Sequence, residues 1–155
     1  MKRNNGGNRW RTERMGIIWL CRRLNAKVID LYPEERMGDA LIEIQGARLY
    51  LECVSTYDYI SDKSIPVRSN NFDQYANNGI SKIFDRLQLK IHKKYSDGRS
   101  LLIIIDHPFP MGRRTLDFNA VLIRSNDISS FGSIYMIELL TKYVCVVKQN
   151  TPTFG

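Results

Sequence analysis

Two segments of the chain carry apolar residues at the spacing of an amphipathic helix. The first covers residues 8–24 and the second covers residues 79–94. The remaining face of each predicted helix is rich in Lys and Arg. The apolar stripe of the first contains Trp10, Ile17, Leu20, Cys21 and Leu24, and that of the second contains Ile80, Ile83, Phe84, Leu87 and Ile91.

Strand patterns occupy much of the remaining chain. Residues 27–32 predict a strand that ends at Pro33, and residues 38–55 predict two strands joined by a turn at Gln45-Gly46. Residues 101–106 form a continuous apolar run, which is typical of a strand buried on both faces.

The last third of the chain completes an α/β pattern. Residues 115–124 predict a helix, and residues 133–140 and 143–149 predict two closing strands, with a single helix–strand pair as the alternative. This order predicts an α/β fold with a central mixed β-sheet flanked by α-helices. Residues 56–78 form a long polar connection, of the kind that is usually functional or partly ordered.

The predicted turn at Gln45-Gly46 sets the register of its hairpin. If these are the central turn residues, Ile44 pairs with Ala47, and Asp39 then lies directly opposite Glu52. Opposed side chains have Cβ atoms about 4.5–5.5 Å apart, and two carboxylates that close repel each other unless a cation lies between them. The pair is therefore a candidate Mg²⁺ site. The alternative is that Glu52 faces solvent and Asp39 only begins a strand.

Glu13 lies on the apolar stripe of the first predicted helix, three residues after Trp10 and four before Ile17. An acid on a buried face needs a partner or a metal to offset its desolvation. The alternative is that Glu13 belongs to the first helical turn, where the helix dipole favours acidic side chains.

Length and composition predict one soluble globular domain. The chain has 155 residues, of which 43% are apolar and 25% charged, so we expect a domain over residues 8–155 and a flexible basic arm at residues 1–7. No apolar run approaches the ~20 residues that span a membrane, and no signal peptide is recognisable. Cys21, Cys53 and Cys145 lack CxxC spacing, which argues against zinc and fits free thiols in a reducing cytoplasm.

The net charge of +7 indicates a polyanionic partner, with nucleic acid ahead of an acidic membrane surface. Residues 1–24 alone hold seven Lys and Arg residues against the single acid Glu13. The candidate nucleic-acid contacts are Arg9, Arg11, Arg14, Lys63, Arg68 and Arg86. No GxSxG, Walker A or GxGxxG motif is present, which argues against a serine hydrolase and against nucleotide-dependent chemistry.

The order of these features resembles the PD-(D/E)XK nuclease superfamily, which has the restriction-endonuclease-like fold. Over residues 8–106, a helix with Glu13 is followed by Asp39, by Glu52-Cys53-Val54, and by a basic helix and a buried strand. The resemblance implies that Asp39 and Glu52 bind Mg²⁺ or Mn²⁺ and that Glu13 joins them.

The catalytic lysine is the point where the chain departs from that superfamily. The resemblance implies a lysine two residues after the strand acid, which positions or activates the attacking water, and this chain has Val54 there. Lys82 on the following predicted helix is the candidate substitute, with Arg86 one turn further on.

Two functions follow from this interpretation. The first is a metal-dependent nuclease, acting on DNA more than RNA, of a mobile-element, toxin or defence system. The second is a catalytically inactive nucleic-acid-binding or protein-interaction module on the same fold. Val54 favours the second function, whereas the register of Asp39 and Glu52 favours the first. Either function is compatible with a homodimer or a larger protein complex.

Overall fold

The computed structural model describes residues 7–32, 38–55, 88–89, 95, 97–106 and 112–150, with side chains in the first range from Arg11 onward. Residues 1–6 of the predicted basic arm and the long connection at residues 56–78 lie outside the described residues. So do the candidate site residues Lys63, Arg68, Lys82 and Arg86. Of the predicted helix at residues 79–94, only Gln88 and Leu89 are described, and both are helical.

The described residues form one mixed sheet of six strands, which lie in sequence order. β1, β2 and β3 are antiparallel neighbours, β4 pairs in parallel with β3, β5 pairs in parallel with β4, and β6 is antiparallel to β5. The described elements are α1 (Gly7–Leu24), β1 (Lys27–Leu31), β2 (Ala40–Ile44), β3 (Ala47–Ser55), β4 (Ser100–Ile105), α2 (Arg113–Arg124), β5 (Ile134–Glu138) and β6 (Tyr143–Lys148).

Strand β4 is the central strand of the fold and is buried along its whole length. Leu102 and Ile104 belong to an apolar cluster on the α1 side, whereas Leu101, Ile103 and Ile105 belong to a second cluster on the α2 side. The alternation follows from the strand period of two. The predicted α/β fold, with a central mixed sheet flanked by helices, is confirmed.

Most predicted element boundaries agree with the structure within two residues. The first helix begins at Gly7, and the helix at residues 113–124 begins two residues earlier than predicted. The two closing strands are present as β5 and β6, so the alternative of a helix–strand pair is wrong.

Helix α1 lies unusually close to β4. A Cβ atom built on Gly16 would lie 2.6 Å from Cδ1 of Ile104, a distance that real Cβ atoms almost never show. Glycine at this position therefore lets the helix approach the sheet, and it fixes the height of the neighbouring helical residues above β3 and β4.

The inner ladders of the sheet are regular and the outer ladders are not. The β1–β2 register shifts between Val28 and Asp30, and the β5–β6 register shifts between Ile134 and Tyr135. Each shift marks a bulge or irregularity, which bends the strand and disrupts the ladder locally.

The cysteines are buried free thiols, as predicted. Burial raises the pKa of Cys21 and of Cys145 to about 11, so both stay protonated at neutral pH. Among the described residues, no helix is long and apolar enough to cross a membrane.

Gly38 occupies a position that an L-residue would strain. Its φ is +112°, and an added Cβ would lie 2.6 Å from the carbonyl oxygen of Leu51. We predict that Gly38→Ala lowers the free energy of unfolding by about 2 kcal/mol or more, because backbone strain and a backbone clash add.

The matched control is Gly46→Ala, where φ is also positive, at +81°, but no atom lies within 4 Å of the built Cβ. This change should cost only about 1 kcal/mol. Urea unfolding of both variants measures the difference, and equal losses would show that the close approach to Leu51 costs nothing.

Candidate functional site

The β2–β3 hairpin has the predicted register. Gln45 and Gly46 both have positive φ, as a tight two-residue hairpin turn requires, and Ile44 pairs with Ala47. The ladder continues to the pair of Ala40 with Leu51. Asp39 precedes Ala40 and Glu52 follows Leu51, so the two acids lie at the end of this paired ladder.

Asp39 is buried and bonded to both neighbouring strands. Its N–H donates to the carbonyl of Leu51 at 2.6 Å, and its carbonyl accepts from the N–H of Tyr32 at 2.7 Å. Its carboxylate Oδ2 accepts from the N–H of Cys53 at 2.8 Å.

Glu52 is paired with an arginine that the sequence interpretation missed. Nη1 of Arg99 lies 2.8 Å from Oε2 of Glu52, and each side chain is only 13% exposed. The alternative in which Glu52 faces solvent is therefore wrong. The parallel register sets Glu52 beside Leu101, and Arg99 lies two residues before Leu101, on the same face of the sheet.

Arg99 is held from two further directions. Its Nη2 donates to Oδ2 of Asp97 at 2.7 Å, and its guanidinium lies 4.1 Å from the ring centroid of Tyr95. The hydrogen bonds from Arg99 lower the pKa of Asp97 and raise that of Arg99 itself. Burial, and then the charge of Glu52, raise the pKa of Tyr95.

Val54 is part of the core. It is 3% exposed and lies in the α2-side cluster with Leu101 and Ile103. The strand position where the nuclease superfamily has its lysine therefore holds a packed apolar side chain. Among the described residues, Arg99 supplies the positive charge at Glu52.

Glu13 is 1% exposed and lies on the sheet-facing side of α1. It is the seventh residue of the helix, so the alternative that assigns it to the first turn is wrong. The hydroxyl of Tyr32 donates to Oε2 of Glu13 at 2.8 Å. Burial, and then the charge of Glu13, raise the pKa of Tyr32, with a smaller contribution from Asp39. The hydroxyl of Tyr32 therefore stays protonated and keeps donating to Glu13.

A further acid lies where α1 meets the end of β4. The hydroxyl of Thr12, which is buried, lies 3.3 Å from Oδ2 of Asp106. Two consecutive residues of α1 thus contact different strand ends: Thr12 contacts Asp106 after β4, and Glu13 contacts Tyr32 after β1. The acids that the fold gathers around α1 and the β2–β3–β4 strands are Glu13, Asp39, Glu52 and Asp106.

The candidate nucleic-acid contacts on α1 are placed in part. Arg11 and Arg14 are exposed. Arg9 belongs to the helix, but its side chain lies outside the described part of the chain.

No group of three or more His, Cys, Asp or Glu residues is arranged to hold a metal within the residues that the structure describes. Mg²⁺ commonly takes one or two carboxylates and completes its shell with water and phosphate oxygens. The carboxylate oxygens of Asp39 and Glu52 are of the type that this ion prefers.

Comparisons with known proteins give no assignment. No protein-family model matches the chain, and neither the curated proteins nor the solved structures contain a significant match.

We predict that Tyr32 and Glu13 are energetically coupled. Tyr32→Phe should lower the free energy of unfolding by about 1–3 kcal/mol, because it removes a hydroxyl that donates to a buried carboxylate. Combining it with Glu13→Gln should reveal a coupling of about 0.5–3 kcal/mol in urea unfolding.

Tyr50→Phe is the matched control for that cycle. Tyr50 is half-buried on β3, and the structure gives its hydroxyl no hydrogen bond within the described residues. This change should stay within about 0.5 kcal/mol. Strictly additive losses in the Glu13–Tyr32 cycle would contradict the coupling.

Proposed function

We propose that the chain is a metal-dependent nuclease that hydrolyses phosphodiester bonds, with DNA favoured over RNA. The observation that carries this proposal is the β2–β3 register, in which Asp39 and Glu52 lie next to the paired residues Ala40 and Leu51. Two acids at neighbouring positions of the sheet, both with little solvent exposure, are suited to holding a hard divalent cation.

The order of elements supports the same proposal. A helix with a buried acid is followed by Asp39 at the start of β2, by Glu52 on β3 and by the buried parallel strand β4. This order fits the restriction-endonuclease-like fold of the PD-(D/E)XK superfamily that the sequence resembles.

In this proposal Asp39 and Glu52 hold Mg²⁺ or Mn²⁺. The bound ion would polarise the phosphate and lower the pKa of an attacking water. The N–H of Cys53 fixes the orientation of the Asp39 carboxylate. Glu13, which the resemblance adds to the metal ligands, accepts a hydrogen bond from Tyr32 and would act from the edge of the site.

Arg99 takes the role that the superfamily gives to lysine. Its guanidinium keeps its positive charge at any physiological pH. Tyr95 and Asp97 hold it beside Glu52, so its charge would lie close to the developing charge on the phosphate. Lys82 remains the rival for this role.

A second candidate function is a catalytically inactive nucleic-acid-binding module. The observation that favours it is the same 2.8 Å contact, because Arg99 already neutralises Glu52 without a metal. The packed side chain of Val54 also leaves no cation at the superfamily position.

Cleavage assays separate these candidates. We predict that the full chain cuts plasmid DNA with Mg²⁺ or Mn²⁺, that EDTA stops the reaction, and that Asp39→Asn or Glu52→Gln abolishes it. Arg99→Gln should slow cleavage by about 10²–10³, the usual cost of losing one preorganised donor at developing charge. Arg48→Gln, which removes an exposed arginine on β3 outside the site, should leave the rate unchanged.

Each contrary outcome has a distinct meaning. Parental cleavage by Arg99→Gln together with an inactive Lys82→Ala would assign the cation to Lys82. A parent that binds DNA but never cuts with either metal would establish the binding module. Thermal unfolding of every variant identifies any loss of activity that comes from misfolding.

Salt dependence tests the basic face of α1. We predict that replacing Arg11 and Arg14 by Ala weakens DNA binding and lowers the slope of log K against log salt by up to about two, because each phosphate contact contributes about one unit. The control variant replaces Lys27 and Arg48 by Ala, which removes the same amount of charge. These two exposed cations lie at the end of the β1–β3 strands that is far from Asp39. Equal slopes for the two variants would place the contact surface away from α1.

A further inference from the structure

A pocket of about 480 Å³ lies where three elements meet. These are the C-terminal end of α1, the start of α2, and the turn between β5 and β6. Its volume lies within the range of about 300–1,000 Å³ that is usual for small-molecule sites. Its wall includes three cationic side chains, Arg23, Arg113 and Lys142.

Each of the three cations is positioned by an uncharged group. Nε of Arg23 donates to the carbonyl of Lys142 at 2.9 Å, and the guanidinium of Arg113 lies 5.0 Å from the ring centroid of Tyr143. The ammonium of Lys142 donates to the carbonyl of Leu139 and lies 4.9 Å from the ring centroid of Trp19.

No described ion pair neutralises these cations. Within the described residues, the ion pairs are those of Arg99 with Glu52 and Asp97. Like charges that line one cavity repel each other. An anion in the pocket would remove this unfavourable energy.

One acid belongs to the pocket wall. Glu138 is 1% exposed, and its Oε1 accepts a hydrogen bond from the hydroxyl of Thr141 at 2.7 Å. Three cations and one carboxylate leave a net charge of +2 on the wall. The first turn of α2 contains no acid, and Asp117, one turn further on, accepts a hydrogen bond from the hydroxyl of Tyr143 at 2.9 Å.

We propose that this pocket binds the phosphate monoester group of a nucleotide, either free or at the end of a nucleic-acid strand. A phosphate monoester carries close to two negative charges at pH 7, which matches the excess charge of the wall. Arginine forks bind phosphate oxygens through paired hydrogen bonds, and Arg23 and Arg113 approach from different elements. The inference needs no metal and no cleavage, so it stands or falls separately from the nuclease activity.

Isothermal titration calorimetry of the full chain, in EDTA, tests the proposal. The probes are a nucleoside 5′-monophosphate and two single-stranded oligonucleotides of one sequence, one with a 5′-phosphate and one with a 5′-hydroxyl. We expect the monophosphate to bind, or the 5′-phosphorylated oligonucleotide to bind at least about tenfold more tightly than its 5′-hydroxyl twin, the size of one charge-assisted contact. The first result identifies a free nucleotide and the second identifies a strand end.

Variants locate the binding. Arg113→Gln and Arg23→Gln should each weaken the phosphate-dependent binding by about tenfold or more. Arg48→Gln removes one charge on β3, outside the pocket, and should change it by less than about twofold. Arg113 is exposed and its described contact is the Tyr143 ring, so Arg113→Gln should fold normally. This variant alone locates the binding if Arg23→Gln does not fold.

Two results would overturn the proposal. One is failure of the monophosphate to bind, together with equal affinity for the two oligonucleotides. The other is an equal loss of binding in Arg113→Gln and Arg48→Gln, which would reduce the effect to the overall positive charge of the protein.

Discussion

Hydrogen bonds hold Asp39 between β3 and the residue that follows β1. Its N–H bonds to Leu51 on β3, its carbonyl bonds to Tyr32 after β1, and its carboxylate bonds to the N–H of Cys53 on β3. The candidate metal ligand just before β2 is therefore oriented by backbone groups on both sides of it. Gly38 makes this possible, because the chain passes within contact of Leu51 just before Asp39.

The charge of Glu52 is the second constraint on the site. A partly buried carboxylate carries a desolvation cost that a close partner must offset. Arg99 is that partner here, at 2.8 Å. The two candidate functions differ in the partner of Glu52. In a nuclease, a divalent ion would compete with Arg99 for the carboxylate oxygens of Glu52. A binding module would keep the ion pair of Arg99 and Glu52 intact.

The sequence predicted those features that depend on neighbouring residues. The hairpin register follows from a two-residue turn, and the burial of β4 follows from an uninterrupted apolar run, so both were predicted correctly. The apolar stripe of α1 also placed Glu13 on the buried face, although only the start of the helix at Gly7 excludes the first-turn alternative.

The pairing of Glu52 with Arg99 could not be predicted in this way. The two residues are 47 positions apart, and their contact depends on the parallel pairing of β3 with β4, which no local pattern specifies. Only the place of Arg99, two residues before the apolar residue Leu101, hints at the face it shares. The contact of Tyr32 with Glu13 was missed for another reason. The predicted strand includes Tyr32, whereas β1 ends at Leu31 and Tyr32 has a positive φ.

The irregular outer ladders bear on how copies of this chain can associate. An exposed, regular edge strand offers unpaired N–H and C=O groups to a second sheet, and bulges or charges on that edge discourage such pairing. β1 carries a register shift and the exposed charges of Lys27 and Asp30, and the β5–β6 ladder is shifted as well. Both features oppose extension of the described sheet past β1 or past β6.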